Sequence, residues 1–175
     1  MDRLWTPWRY DYVSGIDSSD VGCVLCRILA ERDRDQENFV LFRGKMLSVI
    51  LNLFPYTVGH LLIVANRHIA LLSEAEKEEL HAFIEMAQIC VAALQDEYHP
   101  GGFNLGFNLG RTAGAGVDRH LHMHVLPRWT GDTNFLSVVS ETRVLPEELS
   151  KTQRRLLPHF RDLESAALHP RLTPV

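Results

Sequence analysis

Hydrophobic and polar positions along the chain follow two periods. Leu80, Phe83, Ile84, Ala87, Val91 and Leu94 recur at the three-and-four spacing of one helix face. Ser73-x-x-Glu76 reads as a capping box before them, and His99-Pro100-Gly101-Gly102 as the stop. This predicts one long helix, with Cys90 packed inside it. Strand-length apolar runs occupy residues 38–42, 46–51 and 60–65, the first two joined by Arg43-Gly44-Lys45, a hairpin spacing. Residues 102–110 alternate strictly, Phe103, Leu105, Phe107 and Leu109 on one face and Asn104, Gly106 and Asn108 on the other. A last strand covers 119–125, and beyond Pro146 a helical tail is expected, interrupted at Pro158.

The order is strands, a long helix, then strands again, with short loops between. That order predicts an α+β fold, a mostly antiparallel sheet with the helix on one face. At 175 residues and 46% hydrophobic, the chain is long enough for one buried core. A single domain over 1–175 is therefore expected: an arm over 1–22 carrying Trp5, Pro7 and Trp8, a core over 23–130, and an extension over 131–175.

Charge and composition then narrow the function classes. A net charge of −4 gives no basic field for nucleic acid, so the partner is expected to be a small molecule. No apolar run approaches the roughly 20 residues that span a bilayer, and the start lacks a signal-peptide core. Neither a membrane nor export is therefore expected, and the three cysteines suit a reducing, cytoplasmic compartment better than a disulfide framework.

The chemistry concentrates in His120-Leu121-His122-Met123-His124. On a strand the three imidazoles share one face, roughly 7 Å apart, while Leu121, Met123 and Val125 point into the core. Three readings stand side by side: histidines that are merely exposed, a catalytic zinc site, and nucleophilic attack on phosphorus. The last suits an imidazole that is neutral near pH 7 and keeps a ring lone pair. It requires the other ring nitrogen to donate to a fixed acceptor such as a backbone carbonyl. Upstream, the glycine-rich stretch Gly110–Gly116, with Arg111, offers backbone amides that could turn toward an anion. Arg128 would share the histidine face only if the strand continued through Pro127, and is left outside the catalytic set. His81, His99, His159 and His169 read as solvent-facing. Trp129 suits either stacking on a base or packing.

HLHMHVL, preceded by the strand Gly59-His60-Leu-Leu-Ile-Val and by Asn52 eight residues before that histidine, resembles the histidine-triad (HIT) family of nucleotide hydrolases and transferases. LWTPWR, GFNLGFNLG and PRW followed by GDTNF resemble its bacterial diadenosine tetraphosphate phosphorylase branch. The resemblance implies a five-stranded antiparallel sheet with one long helix, assembled as a homodimer or larger homo-oligomer. It implies that His122 takes up AMP, that His124 and His60 support it, and that Asn52 contacts the ribose. Asn108, Gly116 and Trp129 match positions lining the nucleotide pocket. Where that branch has Gly-Gly-Ser, this chain has Gly114-Ala115-Gly116, so a hydroxyl suited to phosphate is missing and the acceptor is phosphate or water. Nucleoside phosphoramidate or adenylate hydrolysis is the alternative chemistry, and a zinc-stabilised nucleotide-binding protein without turnover the alternative class.

Cys23-x-x-Cys26 supplies two thiolates, and four-coordinate zinc needs two further ligands, for which the chain offers His68 and His120. Some family members and the related hexose-phosphate uridylyltransferases resemble this pattern. Four protein ligands would make the zinc structural. Two ordinary buried cysteines, or a redox pair, are the alternatives; no βαβ pattern surrounds the motif to favour the redox pair.

Overall fold

The computed structural model describes residues 22–132 and 147–167, with side chains to residue 161. The expected arm, apart from Gly22, lies outside the described residues, as do His169 and most of GDTNF. In chain order the elements are α1 (Val24–Ala30), β1 (Val40–Arg43), β2 (Leu47–Leu51), β3 (Leu61–Ala65), α2 (Lys77–Tyr98), β4 (Gly102–Phe107), β5 (His122–Arg128) and α3 (Leu149–Ala167). The five strands form one antiparallel sheet in the order β1-β2-β3-β5-β4, the expected α+β arrangement.

Both faces of the central strands are buried, and each has its own cover. On one face Val49, Leu51, Leu61, Ile63, Met123 and Val125 meet Phe83, Cys90 and Leu94 of α2 and Leu156 and Phe160 of α3. On the other, Leu25 and Ile28 of α1 cover Val40, Ile50, Leu62 and Val64. Val64 pairs with His122 and Leu62 with His124, so the histidine face continues the small α1 cluster sideways across the sheet.

One side chain fixes the end of α1. The guanidinium of Arg43 donates to the carbonyl oxygens of Leu29 (2.8 Å) and Ile28 (3.0 Å) and binds the Asp35 carboxylate, so β1 caps the otherwise unpaired end of the helix. Gly59 turns the chain into β3 at φ 75°, where a Cβ would fall 2.8 Å from Leu94 Cδ2. Both the backbone sign and the space there require glycine.

Several sequence expectations are corrected. The box that opens α2 is Glu76 with Glu79, whose carboxylate accepts the Glu76 amide at 2.9 Å; Ser73 sits in the preceding 3-10 turn Leu72–Glu74. The buried stripe of α2 runs Phe83, Met86, Ala87, Cys90, Ala93 and Leu94, and Ile84 faces outward at 59% exposure. β4 ends at Phe107, and its apolar face is only half used: Phe103 and Phe107 pack on the core while Leu105 is 45% exposed. The reason is position, since β4 is an edge strand that α2 only partly overlaps. β5 starts at His122 and runs through Pro127, which pairs with Phe103. The strand is paired only on its β4 side there, so the missing N–H costs no second ladder.

α3 likewise runs through Pro158 without interruption. It docks by the fully buried Leu156 and Phe160 and by an ionic seam in which Arg155 bridges Glu97 (2.6 Å) and Glu147 (2.8 Å). His159, expected to face solvent, contacts Glu97 at 3.1 Å in that seam, whereas His99 is exposed as expected, its Nδ1 donating to the Gln95 carbonyl at 2.7 Å. Phe160→Ala removes a side chain with no solvent exposure and is expected to cost about 3–5 kcal/mol in urea unfolding. A loss below about 1 kcal/mol would show that α3 lies outside the cooperative core.

Candidate active site

The triad is split between two environments by where β5 begins. His120 precedes the ladder, in a segment held to β3 and the following loop by Ala65 N–H donating to Leu121 O (3.1 Å) and Leu121 N–H to Ile69 O (2.6 Å). His122 and His124 are its first and third ladder residues, 6% and 9% exposed, with ring centroids 5.0 Å apart.

Hydrogen bonds assign the ring nitrogens. His122 Nδ1 lies 2.7 Å from the main-chain oxygen of His120. A carbonyl only accepts, so Nδ1 carries the proton and Nε2 keeps the lone pair. Burial draws the His122 pKa below its ordinary value, with the carbonyl bond opposing, so the neutral ring is favoured. His60 Nε2 meets His124 Nδ1 at 2.9 Å, and the Tyr56 amide donates to His60 Nδ1 at 3.1 Å. Asn52 Nδ2 lies 3.2 Å from the same Nδ1, while its Oδ1 accepts the Phe54 amide at 3.0 Å. The Tyr56 ring adds a wall, with its centroid 4.8 Å from that of His60 and 6.1 Å from that of His124.

The second cluster sits at the start of α1. Cys23 Sγ is 3.2 Å and Cys26 Sγ 3.4 Å from His120 Nδ1, and Cys26 Sγ is 3.0 Å from His68 Nδ1. All four donor atoms lie within 4.8 Å of one another. His120 Nε2 donates to the Ala65 carbonyl at 2.7 Å, which turns its Nδ1 lone pair toward the sulfurs. Tetrahedral zinc with bonds of about 2.0–2.3 Å needs donors about 3.5 Å apart. The residues fit that ion, and His120 belongs to this cluster and not to the His60–His124 pair. Burial opposes ionisation of Cys23, yet the His120 and Cys26 hydrogen bonds bring its pKa down to about 6; burial and the neighbouring Cys23 push Cys26 up to about 11. The chain on either side of His68 is tied down: Arg67 forks onto the buried Glu79 at 2.8 and 2.7 Å, and Glu74 accepts the Ala70 and Leu71 amides.

The remaining candidates are more dispersed. Phe107 pairs with Met123, which makes Asn108 the next position, level with His122. Gly116 lies between the 3-10 turn Arg111–Ala113 and β5, and Arg111 is engaged with Asp118 at 3.2 Å. Arg128 does lie on the paired strand, but its guanidinium holds Asp132 (2.6 Å) and Asn104 (2.7 Å). Trp129 follows the far end of β5, its amide bonded to Asp132. Sequence reasoning expected a backbone carbonyl behind the nucleophile, which the structure identifies as that of His120, and missed Tyr56 and the Ala65 carbonyl. Backbone groups carry no residue signature, and only the tyrosine ring was there to be noticed.

The HIT domain family matches residues 33–131, and the chain belongs to that family. A protein of Mycobacterium tuberculosis described as AP-4-A phosphorylase is 36% identical over 164 residues, covering 89% of this chain and 83% of the relative. The asymmetrical bis(5'-nucleosyl)-tetraphosphatase of Schizosaccharomyces pombe is 26% identical over 67% of this chain and 60% of its own length. Among solved structures, a zinc-bound histidine triad family protein from Mycobacterium smegmatis superposes with a TM-score of 0.66 at 27% identity, over 83% of this chain and 97% of that one. Among the described residues, no helix is long and apolar enough to cross a membrane.

Cys26→Ser is expected to abolish stoichiometric zinc in protein purified without added metal, read by elemental analysis. It should also lower Tm by more than about 4 °C, corresponding to about 1 kcal/mol for a chain of this size. Wild-type protein with only a trace of zinc, and an unchanged Tm in the variant, would remove the four-ligand site.

Proposed function

We propose that the chain is an enzyme that cleaves dinucleoside polyphosphates such as diadenosine tetraphosphate, by AMP transfer to His122 and then to phosphate or water. The observation that carries this reading is the 2.7 Å bond from His122 Nδ1 to the His120 carbonyl, which commits the Nε2 lone pair to attack. Nε2 forms a bond to the α-phosphorus as the bond to the bridging oxygen breaks, releasing ATP from diadenosine tetraphosphate. The acceptor oxygen then displaces Nε2, giving ADP with phosphate or AMP with water. His124, backed by His60, supplies hydrogen bonding to the phosphoryl oxygens or leaving group. Asn52 is assigned to the ribose, and Asn108 and Gly116 to the phosphates. The relatives named above, a phosphorylase and a tetraphosphatase, support the substrate class and differ in the acceptor.

Cys23, Cys26, His68 and His120 are assigned to structural zinc, which when bound supplies a four-ligand cross-link between α1, β3 and the start of β5. A homo-oligomer is the assembly we favour. Trp129 is seven positions beyond His122, on the order of 20 Å along a strand. A base stacked on Trp129 would therefore belong to a nucleotide held by a second copy. The exposed Ile84 and Leu105, on α2 and the sheet edge β4, offer apolar surface for that copy. The proposed place of action is the cytoplasm.

Incubating the protein with diadenosine tetraphosphate, with and without inorganic phosphate, separates the acceptors. ADP plus ATP formed only with phosphate marks a phosphorylase, and AMP plus ATP a hydrolase. His122→Gly is expected to lower turnover at least about a thousand-fold while nucleotide binding persists; surviving turnover would refute the nucleophile. Leu105→Glu is expected to shift the mass seen by light scattering toward one chain, and an unchanged mass would place the interface elsewhere.

A further inference from the structure

The His60–His124 pair receives a hydrogen bond that can run in one direction only. The Tyr56 amide is a donor without alternative, and it points at His60 Nδ1 from 3.1 Å. That nitrogen must therefore present its lone pair. A neutral His60 then carries its proton on Nε2, 2.9 Å from His124 Nδ1, which must accept it. A neutral His124 in turn carries its own proton on Nε2. We infer that the turn Asn52–Tyr56 is a tautomer lock: the Tyr56 main-chain amide, acting through His60, positions the His124 proton on Nε2, fixing His124 as a hydrogen-bond donor within the site.

The construction of the turn supports this role. Asn52 Oδ1 accepts the Phe54 amide at 3.0 Å and its main-chain N–H donates to the His60 carbonyl at 3.0 Å, which closes the loop onto the residue it controls. Asn52 Nδ2, 3.2 Å from His60 Nδ1 and 3.4 Å from His60 Nε2, is directed at neither nitrogen alone, so the single Nδ1 lone pair goes to the Tyr56 amide. The Tyr56 ring lies within 18° of parallel to the His124 ring with centroids 6.1 Å apart, so the same residue that sets the proton also walls that side of the site. His122, next on the same face, is locked in the opposite sense by the His120 carbonyl. One face thus offers a lone pair on His122 beside an N–H on His124, the two functions that attack at phosphorus and stabilisation of a phosphoryl or leaving oxygen require. Tyr56 is by this argument a positioning residue. Its part is played by the main chain, which an alanine scan would not find.

The catalytic consequence rests on the proposed nucleotidyl transfer, but the proton positions do not, and the test separates them. Long-range proton–nitrogen correlation spectra of the full, imidazole-labelled chain read each histidine tautomer directly, with His60→Gln and His124→Gln for assignment. The expected result is Nε2–H for His60 and His124 and Nδ1–H for His122. An Nδ1–H signal for His60 or for His124 overturns the lock. Tyr56→Pro deletes the amide donor; His60 is expected to shift to a tautomer mixture while His122 keeps its Nδ1–H signal, and kcat to fall about ten-fold or more with KM within about three-fold. Unchanged tautomers in that variant would overturn the assignment to Tyr56, and if it does not fold, the wild-type spectra decide alone. Wild-type tautomers as stated, with no nucleotidyl transfer, would leave the lock standing and refute the proposed function.

Discussion

His120 is bound at three points, and the rest of the site hangs on them. Its Nε2–H is held by the Ala65 carbonyl, its Nδ1 faces Cys23 and Cys26, and its main-chain oxygen accepts the His122 Nδ1–H. The first bond is set by the end of β3, the second by the start of α1, and the third acts on the nucleophile assigned here. A rotation of one peptide would release His122 from its acceptor and leave either ring nitrogen free to carry the proton. The structure resists that rotation by pairing the same segment through Ala65 N–H to Leu121 O and Leu121 N–H to Ile69 O. Arg43, which anchors the end of α1, is thus a distant contributor to the geometry of a histidine it never touches.

The sheet divides labour between its faces. α2 and α3 bury the larger apolar cluster on one side, where Ile63, Val125 and Phe160 have no exposure. That packing is the main source of stability and leaves the other face able to hold polar groups. There α1 covers only the β1–β3 part, and the imidazoles of His60, His122 and His124 occupy the continuation. Buried imidazoles are costly unless each ring nitrogen has a partner or a chemical use. Backbone groups meet most of that need, from the carbonyls of Ala65 and His120 and the amide of Tyr56.

The features legible in the sequence are those encoded by side-chain period and spacing. The α+β order, the long helix, the β1–β2 hairpin and the inward Leu121, Met123 and Val125 all follow from periodicity. The partition of His120 to the cysteines followed from ligand arithmetic together with family resemblance, and the four side chains do converge. Where tertiary context outweighs local pattern, the reading failed. Ile84 fits the helical stripe yet faces outward, and Leu105 alternates correctly yet sits on an uncovered edge. Pro127 and Pro158 read as breaks, but an edge ladder and a well-docked helix absorb them. His159 looked solitary because Glu97, its partner, is 62 residues away. Asn52 was read for its side chain, whereas in the structure it also builds the turn that presents a main-chain N–H to His60.

A strand places neighbouring same-face histidines in nearly equivalent surroundings, and the periodicity that makes the motif visible cannot by itself give His122 and His124 different protonation patterns. The difference comes from what each Nδ1 meets. For His122 it is a carbonyl two residues back on its own chain; for His124 it is the imidazole of His60, delivered by β3 and polarised by the turn before it. A backbone carbonyl and a backbone amide are fixed in character at every pH at which the protein is folded, unlike a carboxylate or a lysine. Using them as the terminal groups makes the asymmetry a property of the fold, so in the neutral rings lone pair and donor stay in their assigned places for as long as β3, β5 and the Asn52–Tyr56 turn remain packed.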